Sequence, residues 1–109
     1  MTCQDVIVTL IDVLMELFDT NKAIYKSLLF TRHKIKYLYT SDEIRDVCKT
    51  FCALNSEGIA NRDVTIFKNT QFDNLIDMVW NELSPENRNL IWKWAITITK
   101  NCENDYKHT

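Results

Sequence analysis

Glycine and proline are almost absent from this chain of 109 residues, which contains one of each. Tight turns favour these two residue types, and strand-rich folds need many such turns. Their scarcity argues against a β-sandwich or barrel and favours long helices joined by few turns. It also excludes the glycine-rich loops that hold phosphate groups in nucleotide-binding sites.

The chain is also poor in the residues that build catalytic and metal sites. It has two histidines, His33 and His108, and a cysteine nucleophile needs such a base within hydrogen-bond reach. Cys48 with His33 stays open as a pair, although both neighbourhoods have the pattern of helix packing. Asp73 and Asp77 lie one helical turn apart, a spacing that can bind a metal ion, but the pattern places them on a solvent face. We therefore predict no enzymatic activity, no metal site and no cofactor.

Long uncharged apolar runs are absent as well. The apolar stretch at residues 6–18 contains Asp12 and Glu16, and no basic residue precedes it. A membrane-spanning helix needs about 20 apolar residues, and a secretion signal begins with basic residues. We expect a soluble protein with no transmembrane segment and no secretion signal.

Four cysteines are spread along the chain: Cys3, Cys48, Cys52 and Cys102. Cys48 and Cys52 fall on the apolar face of a predicted helix, where a free cysteine behaves as a small hydrophobic residue. The spacing matches neither a disulfide framework nor a zinc site. We expect free thiols, a reducing compartment and a protein that is not secreted.

Apolar residues recur at helical spacing through most of the chain and predict an all-α fold, a small bundle of about five amphipathic helices. The first two helices cover residues 3–18 and 22–38, and the last two lie within residues 70–100, joined by a Leu-Ser-Pro hinge. A single domain is expected at residues 1–100, followed by a polar, frayed tail at residues 101–109.

The third helix has the clearest signals at its ends. Thr40 and Glu43 form a capping box, in which each side chain bonds to the backbone of the other residue. Gly58 is expected to end the helix in the left-handed conformation. Residues 59–69 have no clear period, so we predict an ordered loop held in place by Ile66 and Phe67.

Charge is concentrated in one segment. Residues 1–20 contain four acidic residues and no basic one, whereas residues 21–40 contain five basic residues and no acidic one. The predicted basic patch consists of Lys22, Lys26, Arg32, Lys34 and Lys36. Such a patch is typical of a surface for nucleic acid, phosphate groups or an acidic partner. The alternative is that this helix neutralises its acidic neighbours, which the net charge of −2 favours.

The last helix carries a second candidate site around Trp92. The inward stripe of this helix runs through Leu90, Ile91, Trp94, Ala95 and Ile98, and Trp92 points toward its flank. A large aromatic residue on an outer flank is typical of a protein interface, whereas a helix that is apolar nearly all round is typically buried. The predicted interface comprises Trp92, Ile96, Arg88 and Thr99, and it would serve a homodimer or a protein partner.

Residues 66–98 resemble a motif near the C-terminus of short helical proteins encoded by nucleocytoplasmic large DNA viruses. The matching residues are Phe67, Phe72, Leu75, Trp80, Ser84, Ile91, Trp92, Lys93 and Trp94. The chain departs from the motif at Trp94, where tyrosine is usual, and at Ala95, where leucine is usual. The resemblance covers about the last third of the chain. It implies a small helical viral protein in the host cytoplasm or the virion, and it transfers no functional residue.

These observations favour a viral protein–protein interaction or structural component, such as a minor virion or capsid-associated protein. The first alternative is a nucleic-acid or phosphate-binding accessory protein that uses the basic patch. The second alternative is a modulator of a host factor. Binding to DNA that disappears at moderate salt and on charge reversal at Arg32 and Lys34 would distinguish the first alternative.

Overall fold

The computed structural model describes residues 2–68 and 73–107, with side chains up to Asn101. Within these ranges the chain forms five α-helices and no strand, which confirms the predicted all-α bundle. The helices are α1 (Cys3–Leu17), α2 (Lys22–His33), α3 (Ser41–Ala60), α4 (Asp73–Trp80) and α5 (Pro85–Lys107). A π-helical turn (Lys34–Leu38) follows α2, and a 3-10 turn (Val64–Phe67) precedes α4. Phe72 and His108 lie outside the described residues.

Side-chain caps fix where the helices begin. The predicted capping box of α3 is confirmed: the Glu43 amide donates to Thr40 Oγ1 at 3.1 Å, and the Thr40 amide donates to Glu43 Oε1 at 3.2 Å. Thr2 and Asp5 form a second box at the start of α1. Ser84 caps α5 by accepting the Asn87 amide at 3.2 Å, as expected for the predicted hinge. Each cap satisfies amides that have no partner within the helix.

The central helix of the bundle is α1. Its side chains Val6, Ile11 and Leu14 are fully buried, and α2, α3 and α5 all pack against it. Burial of a large aliphatic side chain stabilises a fold by about 1.5–3 kcal/mol. Since α2 and α3 both rest on α1, the space between them forms a groove.

Gly58 does not end α3 in the left-handed conformation, so that prediction is wrong. The helix passes through Gly58 to Ala60 with a kink at Asn55, and the residue with positive φ is Arg62 at 55°. A Cβ atom at position 58 would overlap Cγ2 of Ile66. Glycine is therefore needed here because the 3-10 turn packs directly against α3.

Two other boundaries differ from the prediction. The second helix changes at Lys34 from α-helical to π-helical hydrogen bonding, so residues 22–38 are not one regular helix. The last helix continues to Lys107, past the frayed tail expected from residue 101. The loop expected at residues 59–69 contains the 3-10 turn, and Phe67 within it is buried as predicted.

Candidate functional site

Trp92 lies in the core and not on an exposed flank, which corrects its assignment to an interface. Its side chain is only 3% exposed. The ring centroid lies 5.8 Å from that of Phe67 and 5.9 Å from that of Trp80, whose ring meets it edge-on. Such aromatic pairs stabilise a core beyond the area that they bury. Trp92 therefore joins α5 to the 3-10 turn and α4.

The other three residues of the predicted α5 interface do not form one surface with it. Ile96 is 40% exposed, whereas the Thr99 hydroxyl turns inward and donates to Ala95 O at 2.9 Å and to Cys52 Sγ at 3.3 Å. Arg88 belongs to the junction of α4 and α5. Its Nε donates to Trp80 O at 2.9 Å, and its guanidinium carbon lies 5.0 Å from the Trp80 ring centroid.

The basic patch is only partly neutralised by its neighbours. Arg32 Nε lies 2.6 Å from Asp12 Oδ1 of α1, as expected if α2 balances the acidic helix beside it. Within the described parts of the chain, the four lysines of the patch make no ion pair. Three of them are exposed and Lys34 is half-buried. Four positive charges on one short segment thus have no acidic partner in the described fold.

Exposed apolar side chains are concentrated in the same segment. Eight large hydrophobic residues are exposed in the described chain, and five of them lie within residues 29–39: Leu29, Phe30, Tyr37, Leu38 and Tyr39. Lys34 Nζ lies 5.0 Å from the ring centroid of Phe30, and Lys36 Nζ lies 5.6 Å from that of Tyr37. We call Leu29, Phe30, Lys34, Lys36, Tyr37 and Leu38 the aromatic–basic surface.

The π-helical turn explains why sequence reasoning missed this surface. On a regular helix over residues 22–38, Ile35 and Leu38 would lie on one face, and both would point inward. Ile35 is buried, but Leu38 is 64% exposed. A π turn bonds residue i to i+5, which rotates the following residues away from the α-helical pattern. Gln4 of α1 holds this turn by donating through Nε2 to Ile35 O at 2.7 Å.

A groove of about 660 Å³ runs beside this surface, between α2 and α3. Phe30 of α2 and Lys34 of the π-helical turn line one side, and Ile44 and Cys48 of α3 line the other. Ile7 of α1 and two residues of α4, Asn74 and Leu75, also line it. None of the described residues that line it is acidic. The groove therefore combines an apolar interior with positively charged groups.

Cys48 at the edge of this groove has the properties of a structural thiol. It is 2% exposed, and Cys3 and Cys52 are likewise buried. A hydrogen bond with Cys3, followed by burial, raises the pKa of the Cys48 thiol above its ordinary value. The thiol is therefore protonated at neutral pH, and a nucleophile needs the thiolate. His33 packs instead against Tyr37, with 5.0 Å between ring centroids.

The part of the chain that the structure describes contains no group of three or more potential metal ligands. No helix in that part is long and apolar enough to cross a membrane. In comparisons with known proteins, the chain matches no protein-family model, no curated protein and no solved structure at a significant level. A functional assignment must therefore come from the site itself.

Proposed function

We propose that this protein is a viral interaction or structural component that binds a partner protein through the aromatic–basic surface. The observation that carries the proposal is the coincidence of exposed apolar side chains with lysines that have no acidic partner among the described residues. Tyr37 and Leu38 are 63% and 64% exposed on the π-helical turn. Contiguous apolar side chains rimmed by polar groups on a folded domain mark interaction sites. The viral setting rests on the resemblance of residues 66–98 alone.

Charge indicates the chemistry of the partner. Lys34 and Lys36 flank the exposed rings, so a partner surface that combines acidic and apolar side chains would match both properties. A two-fold contact of this surface with itself would bring the lysines of both copies together, which opposes self-association. We therefore infer a heteromeric partner, and we expect the isolated chain to be monomeric.

A binding assay with a defined probe tests this proposal. The probe is a synthetic acidic amphipathic helix with glutamate on one face and leucine on the other, and its scrambled sequence serves as control. Replacing Tyr37 and Leu38 together by serine should weaken binding, measured by fluorescence anisotropy, by about tenfold or more if these residues are anchors. Leu54→Ser is the matched control because Leu54 is 79% exposed on α3, away from this surface.

Equal losses of affinity in Leu54→Ser and the double variant would contradict the proposal. Binding of the scrambled peptide as tight as that of the amphipathic peptide would also contradict it. Circular dichroism should show unchanged helical content in both variants, because all three side chains are exposed.

A second function, binding of single-stranded nucleic acid, is favoured by the lysines that lie over the rings of Phe30 and Tyr37. Exposed rings stack on bases and lysines contact phosphates. In that case an oligonucleotide should bind with a steep salt dependence and compete with the acidic peptide. The negative net charge of the chain favours the protein partner.

A further inference from the structure

We propose that the groove between α2 and α3 binds a single-chain amphipathic anion, with a free long-chain fatty acid as its occupant. This inference goes beyond the proposed docking of a protein, because it concerns the concave space beside the aromatic–basic surface. It follows from the size of the groove, its lining and the placement of two of its lysines.

The size of the groove fits a small molecule. Its volume of about 660 Å³ lies within the roughly 300–1,000 Å³ that is typical of small-molecule sites. Ile7, Ile35 and Ile44 line it, and each of them is less than 10% exposed (4%, 8% and 6%) because it also belongs to the core. A ligand would therefore contact preformed apolar walls, and little ordering of the protein would be needed.

The charged groups of the groove select an anion. Lys26 of α2 and Lys34 of the π-helical turn line it, and none of its described lining residues is acidic. Neither lysine makes an ion pair with any described residue. An anionic group placed between them would gain charge-assisted hydrogen bonds, which are stronger than neutral ones. The buried part of the lining is apolar and includes Ile7, Ile35 and Ile44, which favours an apolar remainder of the ligand.

A single fatty acid molecule fits the geometry of the groove better than a membrane surface does. A membrane-binding helix presents a convex apolar face to the lipid, whereas the apolar residues here lie inside a concavity between two helices. The Ser27 and Thr31 side chains also line the groove on α2. The Thr31 hydroxyl is already engaged, because it donates to Ser27 O at 2.9 Å.

Titration of the full chain with a fluorescent fatty acid, cis-parinaric acid, tests the proposal. We expect saturable binding of one equivalent. Replacing Lys26 and Lys34 together by glutamate should weaken it by about tenfold or more, the effect of losing a charge-assisted contact. Lys22→Glu is the matched control, because Lys22 is an exposed lysine of the same helix that does not line the groove, and it should change affinity less than twofold.

A second pair of variants tests the apolar interior without changing charge. Ser27 is exposed and lines the groove, so Ser27→Trp should fill the groove and abolish binding while the chain stays folded. Ser56→Trp places the same ring on an exposed position of α3 outside the groove and should bind like wild type. Ser27→Trp leaves Tyr37 and Leu38 unchanged, so failure of this inference is distinguishable from failure of the proposed protein docking.

The nature of the ligand is tested by two further probes. An alcohol of equal chain length should displace cis-parinaric acid poorly, because it carries no charge for the lysines. Phosphatidylglycerol vesicles should bind the protein no better than phosphatidylcholine vesicles. Absence of saturable binding, equal displacement by the alcohol, binding that needs anionic vesicles, or equal affinity of all four variants would each overturn the proposal.

Discussion

The aromatic cluster of α5 and the aromatic–basic surface after α2 contain similar residue types but have opposite environments. Trp92 is 3% exposed and sits among other rings, whereas Phe30 and Tyr37 are each 63% exposed beside lysines. Trp92 lies on the inner side of α5, whose outer side carries exposed residues such as Asn89 and Lys93. Phe30 and Tyr37 lie under the ammonium groups of Lys34 and Lys36, and such charged groups remain in water. A lysine beside an aromatic residue in the sequence therefore does not by itself indicate an interface, because Trp92 is followed directly by Lys93.

The largest expected effect is the difference in stability between a variant of the aromatic cluster and a variant of the aromatic–basic surface. Trp92→Ala should lower the free energy of unfolding by about 3–5 kcal/mol, because it leaves a cavity between three elements. Tyr37→Ala should change it by less than about 0.5 kcal/mol, as is usual for exposed positions. Urea denaturation followed by circular dichroism measures both changes. Trp92→Glu should unfold the chain, and a folded Trp92→Glu variant would show that Trp92 is not core.

A smaller effect is expected where the 3-10 turn meets α3. Gly58→Ala should destabilise the fold by about 1–3 kcal/mol, the usual cost of overpacking, because the new methyl group meets Ile66 Cγ2. Ile66→Ala removes that methyl group, so the double variant should lose less than the sum of the two single losses. Strictly additive losses would mean that the two positions are not in contact.

Alanine substitutions in the basic patch should lower the free energy of unfolding by less, and not all by the same amount. Arg32→Ala removes the pair with Asp12, whose carboxylate is 50% exposed, and should cost about 0.2–1 kcal/mol in low salt. Lys36→Ala removes no ion pair and should be close to neutral. High salt should reduce the difference between the two variants, since exposed charges are screened. Equal losses of stability in Arg32→Ala and Lys36→Ala would show that the lysines of the patch are also neutralised by acidic neighbours.

The smallest effect concerns pH and the capping box at the start of α1. The Thr2 amide, and then its hydroxyl, hold the pKa of Asp5 below its ordinary value. Because the pKa is lower in the folded state, the cap stabilises the fold above the unfolded pKa and loses this effect as pH falls through the folded pKa. Thermal melts of Asp5→Asn and wild type should therefore differ at neutral pH, and the difference should shrink below roughly pH 4 and vanish below the folded pKa. A difference that does not change with pH would contradict this role.

The sequence predicts those parts of the fold that depend on local pattern. The stripe of α1, the capping box at Thr40 and the hinge before Pro85 follow from residues close together in the chain. The positions that it mispredicts depend on tertiary contacts. Gly58 faces Ile66 of a turn that has no periodicity, and the same turn brings Phe67 against Trp92.

The charge of the candidate site can be predicted from the sequence, but its shape cannot. The sequence locates the basic segment, but only the fold shows that Asp12 pairs with Arg32 and that no described acidic residue pairs with the lysines. A helical period continued to residue 38 would place Leu38 inside, but the π-helical turn has a different hydrogen-bonding pattern. The sequence does contain a signal, since lysines alternate with apolar residues from Lys34 to Tyr37. Alternation has a period of two residues, which differs from the period of a helix with one buried face.

Photo-crosslinking from the two regions tests most directly where the protein binds its partner. A benzoylphenylalanine residue is placed either at Tyr37 of the aromatic–basic surface or at Ile96, which is the 40% exposed apolar residue of α5. Each full-length variant is irradiated with the acidic amphipathic peptide, and the crosslinked product is quantified by mass spectrometry. We predict a crosslink from position 37 that unlabelled peptide competes away, and none from position 96. A competed crosslink from position 96, with none from position 37, would place the interface on α5 and contradict this account.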